Sequence, residues 1–171
     1  PGHDPLTNEE NEARFHNFYR ANATPQVVVN GRAVPDAGGS VPMATALYGS
    51  FKAITNEVLA HKTDVAIDLK VTQQDGAVQV NATVKEADPE NKELKLRVVL
   101  AESNIEFDAA NGLRHHNMVV RKMLGGDRGT ARDGDTFSYS GTVKIAELRD
   151  ELHAYLTRFE RNQGVEFTRM P

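Results

Sequence analysis

Three patterns in the sequence predict an α+β fold, with helices near both ends and an antiparallel, sandwich-like β-domain between them. Apolar residues recur at helical spacing early and late in the chain, and in the middle they alternate with polar residues. The middle contains five short alternating stretches separated by turn residues. Short strands at such spacing are typical of an antiparallel sandwich.

The composition narrows the function classes. The chain has 171 residues and a net charge of -4, and its interspersed charges offer no basic surface for nucleic acid or anionic lipid. Its apolar runs are much shorter than the roughly 20 residues that a membrane-spanning helix needs. It contains no cysteine, which excludes disulfides, thiolate nucleophiles and cysteine-bound metals within these residues. We therefore expect no cofactor, no metal, no nucleic-acid partner and no membrane insertion.

The first part of the chain, 1–62, begins with a predicted helix. Thr7 followed by Glu10 has the spacing of a capping box, in which two side chains satisfy free N–H groups at a helix start. The helix is expected to end at Asn22. Its aromatic residues fall on one face at helical spacing: Phe15, Phe18 and Tyr19.

A short buried strand is predicted next, at Val27–Val29, because β-branched residues favour extended backbone. Pro25 lacks an N–H and suits the first position of a strand, and Asn30-Gly31 is a turn dipeptide that leads to a return strand at Arg32–Val34. Ser40 then predicts the N-cap of a second helix. The apolar face of that helix comprises Met43, Leu47, Phe51, Ile54 and Val58.

Region 63–143 is predicted to be the antiparallel β-domain. Its first two strands form a hairpin around Gln74-Asp75-Gly76, with one buried apolar face. The residues of that face are Val65, Ile67, Leu69, Val71, Val78, Val80, Ala82 and Val84. The other strands are predicted at Leu94–Leu100, His116–Met123 and Thr136–Val143. Val99 predicts that the centre of the third strand is covered on both sides.

The final segment, 144–171, is predicted to contain a helix and the start of a returning strand. The helix has one apolar face, formed by Ile145, Leu148, Leu152, Leu156 and Phe159. Gly164 suits the left-handed residue that ends a helix. Since the chain starts and stops abruptly, we expect it to be an excised piece of a longer protein.

Several segments resemble those of an uncharacterised family of bacterial secreted or envelope proteins with a thioredoxin-like domain, related to a small outer-membrane protein family. The matching residues are Asp4-Pro5-Leu6, Arg14, Tyr19, the run Thr24-Pro25-Gln26-Val27-Val28-Val29-Asn30-Gly31, and His116-Asn117-x-Val119-Val120-Arg121. The resemblance covers nearly the whole chain, and the run from Thr24 to Gly31 is its most specific part.

The resemblance implies that 1–62 is a partial thioredoxin-like α/β unit whose Cys-x-x-Cys segment lies upstream of this chain. Thr24 and Pro25 would then form the cis-proline loop, although the sequence leaves the isomer of this bond open. With Gln26, the loop would bind an extended peptide through backbone hydrogen bonds. The resemblance also implies an extracytoplasmic or periplasmic location.

His115 and His116 are the strongest metal signal in the sequence. Neighbouring residues of a strand point to opposite faces, so we interpret the two as ordinary strand histidines. With Asn117 and Arg121, His116 is predicted instead to form a hydrogen-bonded structural node between strands. We find no catalytic constellation and assign no catalytic residue.

Three functional hypotheses remain. The favoured one is a non-catalytic binding or structural module of a larger thioredoxin-like envelope protein, with an unknown protein or peptide as its partner. The second is a fragment of a thiol-disulfide oxidoreductase-like protein whose dithiol lies upstream. The least favoured is a metal-dependent hydrolase that uses His115, His116 and nearby acidic residues. We also expect a homodimer through sheet edges that the missing parts would leave exposed.

Overall fold

The structure is a computed structural model that describes residues 4–88, 90–91, 93–134 and 136–168. Its content of 30% helix and 31% strand, with antiparallel sheets, confirms the predicted α+β class. The chain divides into two compact units. The first unit is formed by Ala13–Asp64, and the second joins the segment that ends at Glu12 to the segment that begins at Val65. The last residues of the predicted returning strand, 169–171, lie outside the described residues.

The first helix is α1, Glu9–Ala13, and it continues as a π-helical turn at Arg14–Phe18. The predicted capping residue was wrong by one position. Asn8, rather than Thr7, caps the helix, because its Oδ1 accepts a hydrogen bond of 2.9 Å from the Asn11 N–H. Asparagine favours this position since its short side chain reaches the free N–H groups of the first turn.

The helical segment is shorter than predicted, and its aromatic stripe is only partly buried. The Tyr19 N–H bonds to the Arg14 carbonyl, five residues back, at 3.1 Å. In such a turn, residues three and four apart no longer lie directly above one another. Phe18 is therefore 49% exposed. Arg20 has a φ of 52°, which ends the helical backbone before the predicted Asn22.

The predicted hairpin is present as β1, Val27–Val29, and β2, Arg32–Val34, in the register Val27↔Val34. Asn30 and Gly31 have φ angles of 48° and 77°, as a two-residue turn with positive φ requires. The strand β1 is half-buried rather than buried. It pairs on one side with β2, and its other edge has no neighbouring strand in this two-stranded sheet.

The second helix, α2, spans Ala44–Ala60 and is preceded by a 3-10 turn at Val41–Met43. Ser40 occupies the predicted N-cap position of that turn, with φ and ψ of -77° and 163°, but its side chain makes no capping hydrogen bond. The half-buried residues of α2 include Leu47, Phe51, Ile54 and Val58, which is the predicted face. Met43, which belongs to the 3-10 turn rather than to α2, is 49% exposed.

The second unit contains the remaining strands. They are β3 (Ala66–Gln74), β4 (Ala77–Lys85), β5 (Val98–Glu102), β6 (Ile105–Glu106), β7 (His115–His116), β8 (Val119–Leu124) and β9 (Phe137–Lys144). One sheet has the order β3-β4-β9, and two smaller sheets pair β5 with β8 and β6 with β7. The last helix is α3, Ile145–Gln163, and the N–H of the left-handed Gly164 that ends it bonds to the Glu160 carbonyl.

Three predictions about the strands were wrong. Leu96 forms only an isolated bridge to Thr130, so the third strand begins at Val98. Val99 is 48% exposed and does not lie in a strand covered on both faces. The fourth strand is interrupted at Met118, whose positive φ of 57° breaks the extended backbone between β7 and β8.

The burial of the hairpin formed by β3 and β4 differs most from the prediction. The apolar residues of β4 are covered, with Val80 and Ala82 only 4% and 2% exposed. The apolar residues of β3 lie on the same side of the sheet, yet Ile67, Leu69 and Val71 are 63%, 56% and 55% exposed. The reason is position, because β3 is the edge strand and the residues that form the core come from the other strands and α3.

The core of the second unit lies between the three-stranded sheet, the β5–β8 pair and α3. One cluster comprises Val80, Leu124, Val143 and Leu148, and a second comprises Ala82, Leu96 and Phe137. Val98 and Tyr139 pack against both clusters, so the two are continuous. Among the described residues, none of the helices has the length and apolar character needed to cross a bilayer.

Candidate functional site

A cleft of about 330 Å³ lies between α3 and the β5–β8 pair. Its apolar surface is formed by Leu100, Ala101, Ile145, Leu148, Leu152 and Leu156. Its polar groups are Glu102, Arg121, Arg149 and His153. All of these residues belong to the second unit.

The helix supplies its side of the cleft through its sequence period. Ile145, Leu148 and Leu152 recur at steps of three and four and therefore share one face. Arg149 and His153 are four residues apart and flank this face. The helix thus places two nitrogen-bearing side chains along the rim of an apolar surface.

A β-bulge positions Arg121 in the opposite wall. The register of β5 and β8 shifts between Leu100, which pairs with Lys122, and Ala101, which pairs with Val120. Arg121 is the extra residue on β8 and has no paired residue on β5. A bulge of this kind breaks the alternation of side chains along a strand and changes where one of them points.

The guanidinium of Arg121 is buried and paired. The side chain is 5% exposed, and its Nε donates a hydrogen bond of 2.8 Å to Oε2 of Glu102, whose side chain is 53% exposed. The ion pair therefore has one end in the protein interior and one end in water. A buried guanidinium requires such a partner because an unpaired buried charge is costly.

The outer side of β8 is held by side chains from α1 and its cap. Nδ2 of Asn8 donates to the Arg121 carbonyl at 3.0 Å, and Nδ2 of Asn11 donates to the Val120 carbonyl at 2.8 Å. Oε2 of Glu10 accepts from the Met123 N–H at 2.7 Å. These contacts satisfy backbone groups that a further strand would otherwise satisfy, and they fix the bulge from behind.

The three residues of the predicted structural node each bond to a different partner. The Phe107 carbonyl accepts a hydrogen bond of 3.0 Å from Nε2 of His116, and Oδ1 of Asn117 accepts one of 2.9 Å from the Asn104 N–H. Arg121 donates to Glu102 through its Nε. All three tie this part of the chain to the preceding segment, and only Arg121 lines the cleft.

His115 and His116 form the short strand β7. His115 is exposed and His116 is half-buried, as expected for neighbours on opposite faces of a strand. Within the part of the chain that the structure describes, no group of three or more metal-binding side chains is placed to hold an ion.

The predicted peptide-binding loop lies in the first unit. The Thr24–Pro25 bond is cis, and both residues are exposed. Nε2 of Gln26 donates to the carbonyls of Val27 at 3.1 Å and Val34 at 3.4 Å, so it closes the open end of the hairpin. Gly38 approaches the proline closely, since a Cβ at this position would lie 3.0 Å from Pro25 Cγ.

Sequence reasoning missed three polar residues of the cleft: Glu102, Arg149 and His153. The spacing of Arg149 and His153 beside the apolar stripe of α3 was a usable signal, because it places both on the border of a buried face. Glu102 gave no such signal. Its pairing with Arg121 depends on the bulge, which a sequence pattern does not show.

Comparison with known proteins adds no functional assignment. No family model, no curated protein and no solved structure matches this chain. Membership of the thioredoxin-like envelope family stays a prediction.

Proposed function

We propose that this chain is a non-catalytic binding module of a larger thioredoxin-like envelope protein, and that its cleft binds a peptide in which an aliphatic side chain lies beside a carboxylate. The observation that carries the proposal is the buried Arg121, placed by a β-bulge in the wall of a cleft that is lined mainly by aliphatic residues and has Arg149 at its rim. Bulges are frequent next to functional sites because they redirect a single side chain.

The size and surface of the cleft support an aliphatic side chain. Its volume of about 330 Å³ is at the lower end of the roughly 300–1,000 Å³ of small-molecule sites, so one or two side chains would fill it. Leu100, Leu148 and Leu152 offer branched apolar contacts on both walls. Burial of a leucine side chain there would contribute about 1.5–3 kcal/mol.

The charges of the cleft support a carboxylate. Glu102 neutralises one of the two arginines, which leaves Arg149 to give the cleft a positive excess. A guanidinium carries five N–H donors in a planar fork that matches the two oxygens of a carboxylate. Arg149 is exposed at the rim, so it can bind an acidic group without first being desolvated.

The proposal is tested by fluorescence anisotropy with a labelled, C-terminally amidated Leu-Leu-Glu peptide and its equally amidated Leu-Leu-Gln analogue, so that the glutamate side chain is the only carboxylate that differs between them. We expect Arg149→Gln to weaken binding of the acidic peptide about 10-fold, since a hydrogen bond to a charged group contributes about 1.5–3 kcal/mol. The same variant should bind the neutral analogue as the unmodified chain does, because the lost partner is the carboxylate.

Arg158→Gln is the matched control, because Arg158 lies on the same helix outside the cleft. It should leave binding of both peptides unchanged. Equal affinity of the unmodified chain for the two peptides, or an equal loss in both variants, would contradict a specific carboxylate site.

A further inference from the structure

We infer that β3 pairs with β3 of a second copy of this chain, antiparallel and in a register centred on Leu69. The pairing involves neither the cleft nor its ligand, so it stands or fails independently of the proposed function. It follows from three observations, which concern the open edge of the sheet, the direction of its backbone groups and the order of its charges.

The first observation is that β3 is a long, open edge. It ends the order β3-β4-β9, and all nine of its residues are exposed. Three of them are large and apolar, namely Ile67, Leu69 and Val71. An exposed edge of this kind presents a row of backbone donors and acceptors to another strand.

The second observation is the direction of those donors and acceptors. Asp75 and Gly76 form a two-residue turn with φ angles of 49° and 74°, and Gln74 pairs with Ala77 across it. The pair that closes such a turn is hydrogen-bonded, and hydrogen-bonded pairs alternate along the ladder. The backbone groups of Gln74, and of every second residue before it, therefore point to β4. Those of Ile67, Leu69 and Val71 point to the open edge.

The third observation is that the charges of β3 are self-complementary. In an antiparallel pair centred on Leu69, Asp68 of each copy lies opposite Lys70 of the other. Leu69 then faces its own equivalent, and Ile67 faces Val71. These apolar residues are the ones whose backbone groups point outward, so the same register satisfies the hydrogen bonds and the ion pairs. The Asp68–Lys70 pairs fall at non-hydrogen-bonded positions, where side chains are closest.

Neighbouring registers are less favourable. A pair centred on Asp68 or on Lys70 places like charges opposite each other, which destabilises a strand pair. A slip by one residue places apolar side chains opposite polar ones. The Leu69 register avoids both, and its twofold symmetry is the arrangement of most homodimers.

Sedimentation velocity of the whole chain with charge-reversed variants tests this inference. We expect the unmodified chain to dimerise reversibly as its concentration increases. Asp68→Lys alone and Lys70→Asp alone should each raise the dimer dissociation constant about 10-fold or more, because two symmetric attractive pairs become repulsive. An equimolar mixture of the two variants should associate again, since each then offers the charge that the other lacks.

Lys95→Asp and Asp150→Lys are the matched controls, as both sites are exposed and lie outside β3. They should dimerise like the unmodified chain. A chain that stays monomeric into the millimolar range would overturn the inference, and so would variants that fail to associate when mixed.

Amide hydrogen exchange then identifies the surface. The N–H groups of Ile67, Leu69 and Val71 should become protected as concentration rises, whereas those of Asp68 and Lys70 should already be protected by β4. A dimer in which the first three amides exchange at the same rate as in the monomer would place the contact elsewhere and reject the β3 pairing.

Discussion

The ion pair between Arg121 and Glu102 is asymmetric at the scale of single residues. The arginine side chain is 5% exposed and the glutamate side chain is 53% exposed. Removal of one partner therefore has a different energetic cost from removal of the other. Loss of the arginine leaves a carboxylate that water can still reach. Loss of the glutamate leaves a buried guanidinium with no counter-charge, which is the costlier outcome.

We therefore predict that Glu102→Ala destabilises the chain more than Arg121→Met does, by about 1–3 kcal/mol. Methionine keeps most of the apolar volume of arginine in the core. Urea unfolding of both variants measures the difference. Equal losses, or a larger loss for Arg121→Met, would show that packing of the arginine side chain outweighs its charge.

Tyr155 gives a prediction about alkaline pH. Its burial raises the pKa of the phenol above the ordinary value of 10.0, and the Asp4 and Glu12 carboxylates raise it further. The phenol therefore ionises at lower pH in the unfolded chain than in the folded chain. Its contribution to stability is complete below pH 10 and is lost as the pH rises through the higher, folded value.

The variant Tyr155→Phe removes this dependence. At neutral pH it should be less stable by about 0.5–1.5 kcal/mol, because it loses the 3.1 Å hydrogen bond from the hydroxyl to the Asp4 carbonyl. Above pH 10 the difference from the unmodified chain should shrink. Urea unfolding at both pH values measures it, and Tyr48→Phe, at a site that is 67% exposed, is the control. A difference that stays constant with pH would contradict a raised pKa of Tyr155 in the folded chain.

At the scale of elements, α1 holds the outer side of β8 in place of a strand. Asn11 contributes through a 2.8 Å hydrogen bond to the Val120 carbonyl.

We predict that Asn11→Ala destabilises the chain by about 0.5–1.5 kcal/mol, although alanine is the better helix former. Glu9→Ala, at an exposed position of the same helix, should have little effect. Faster hydrogen exchange along β8 in the first variant alone would confirm the contact, and equal stability of the two variants would contradict it.

The elements also show what periodicity can and cannot predict. The apolar face of α3 was predicted correctly, and Leu148 and Leu156 are buried. The same kind of pattern failed on β3, whose apolar residues are exposed. Alternation tells which side of a strand faces the core, but burial also depends on whether another layer reaches that strand. Only the order of strands in the sheet, which is a non-local property, decides this.

At the scale of the whole molecule, the sequence was sufficient for the α+β class and for most elements, but not for the site. Arg121 was singled out only through the resemblance, as the last residue of the run His116-Asn117-x-Val119-Val120-Arg121. Its partner Glu102 and its place in a cleft depend on a bulge and on the packing of α3, both of which arise from contacts between distant segments. Met118 marks a similar limit, because a positive φ at a methionine is not expected from its residue type.

The proposed binding site is the cleft between α3 and the β5–β8 pair. Chemical-shift mapping by NMR of the whole chain with the Leu-Leu-Glu peptide tests it most directly. We expect the largest shifts at Leu100–Glu102, at Arg121 and at Arg149–His153. Absence of shifts at saturating peptide, or shifts centred on Thr24–Gln26 in the first unit, would contradict it.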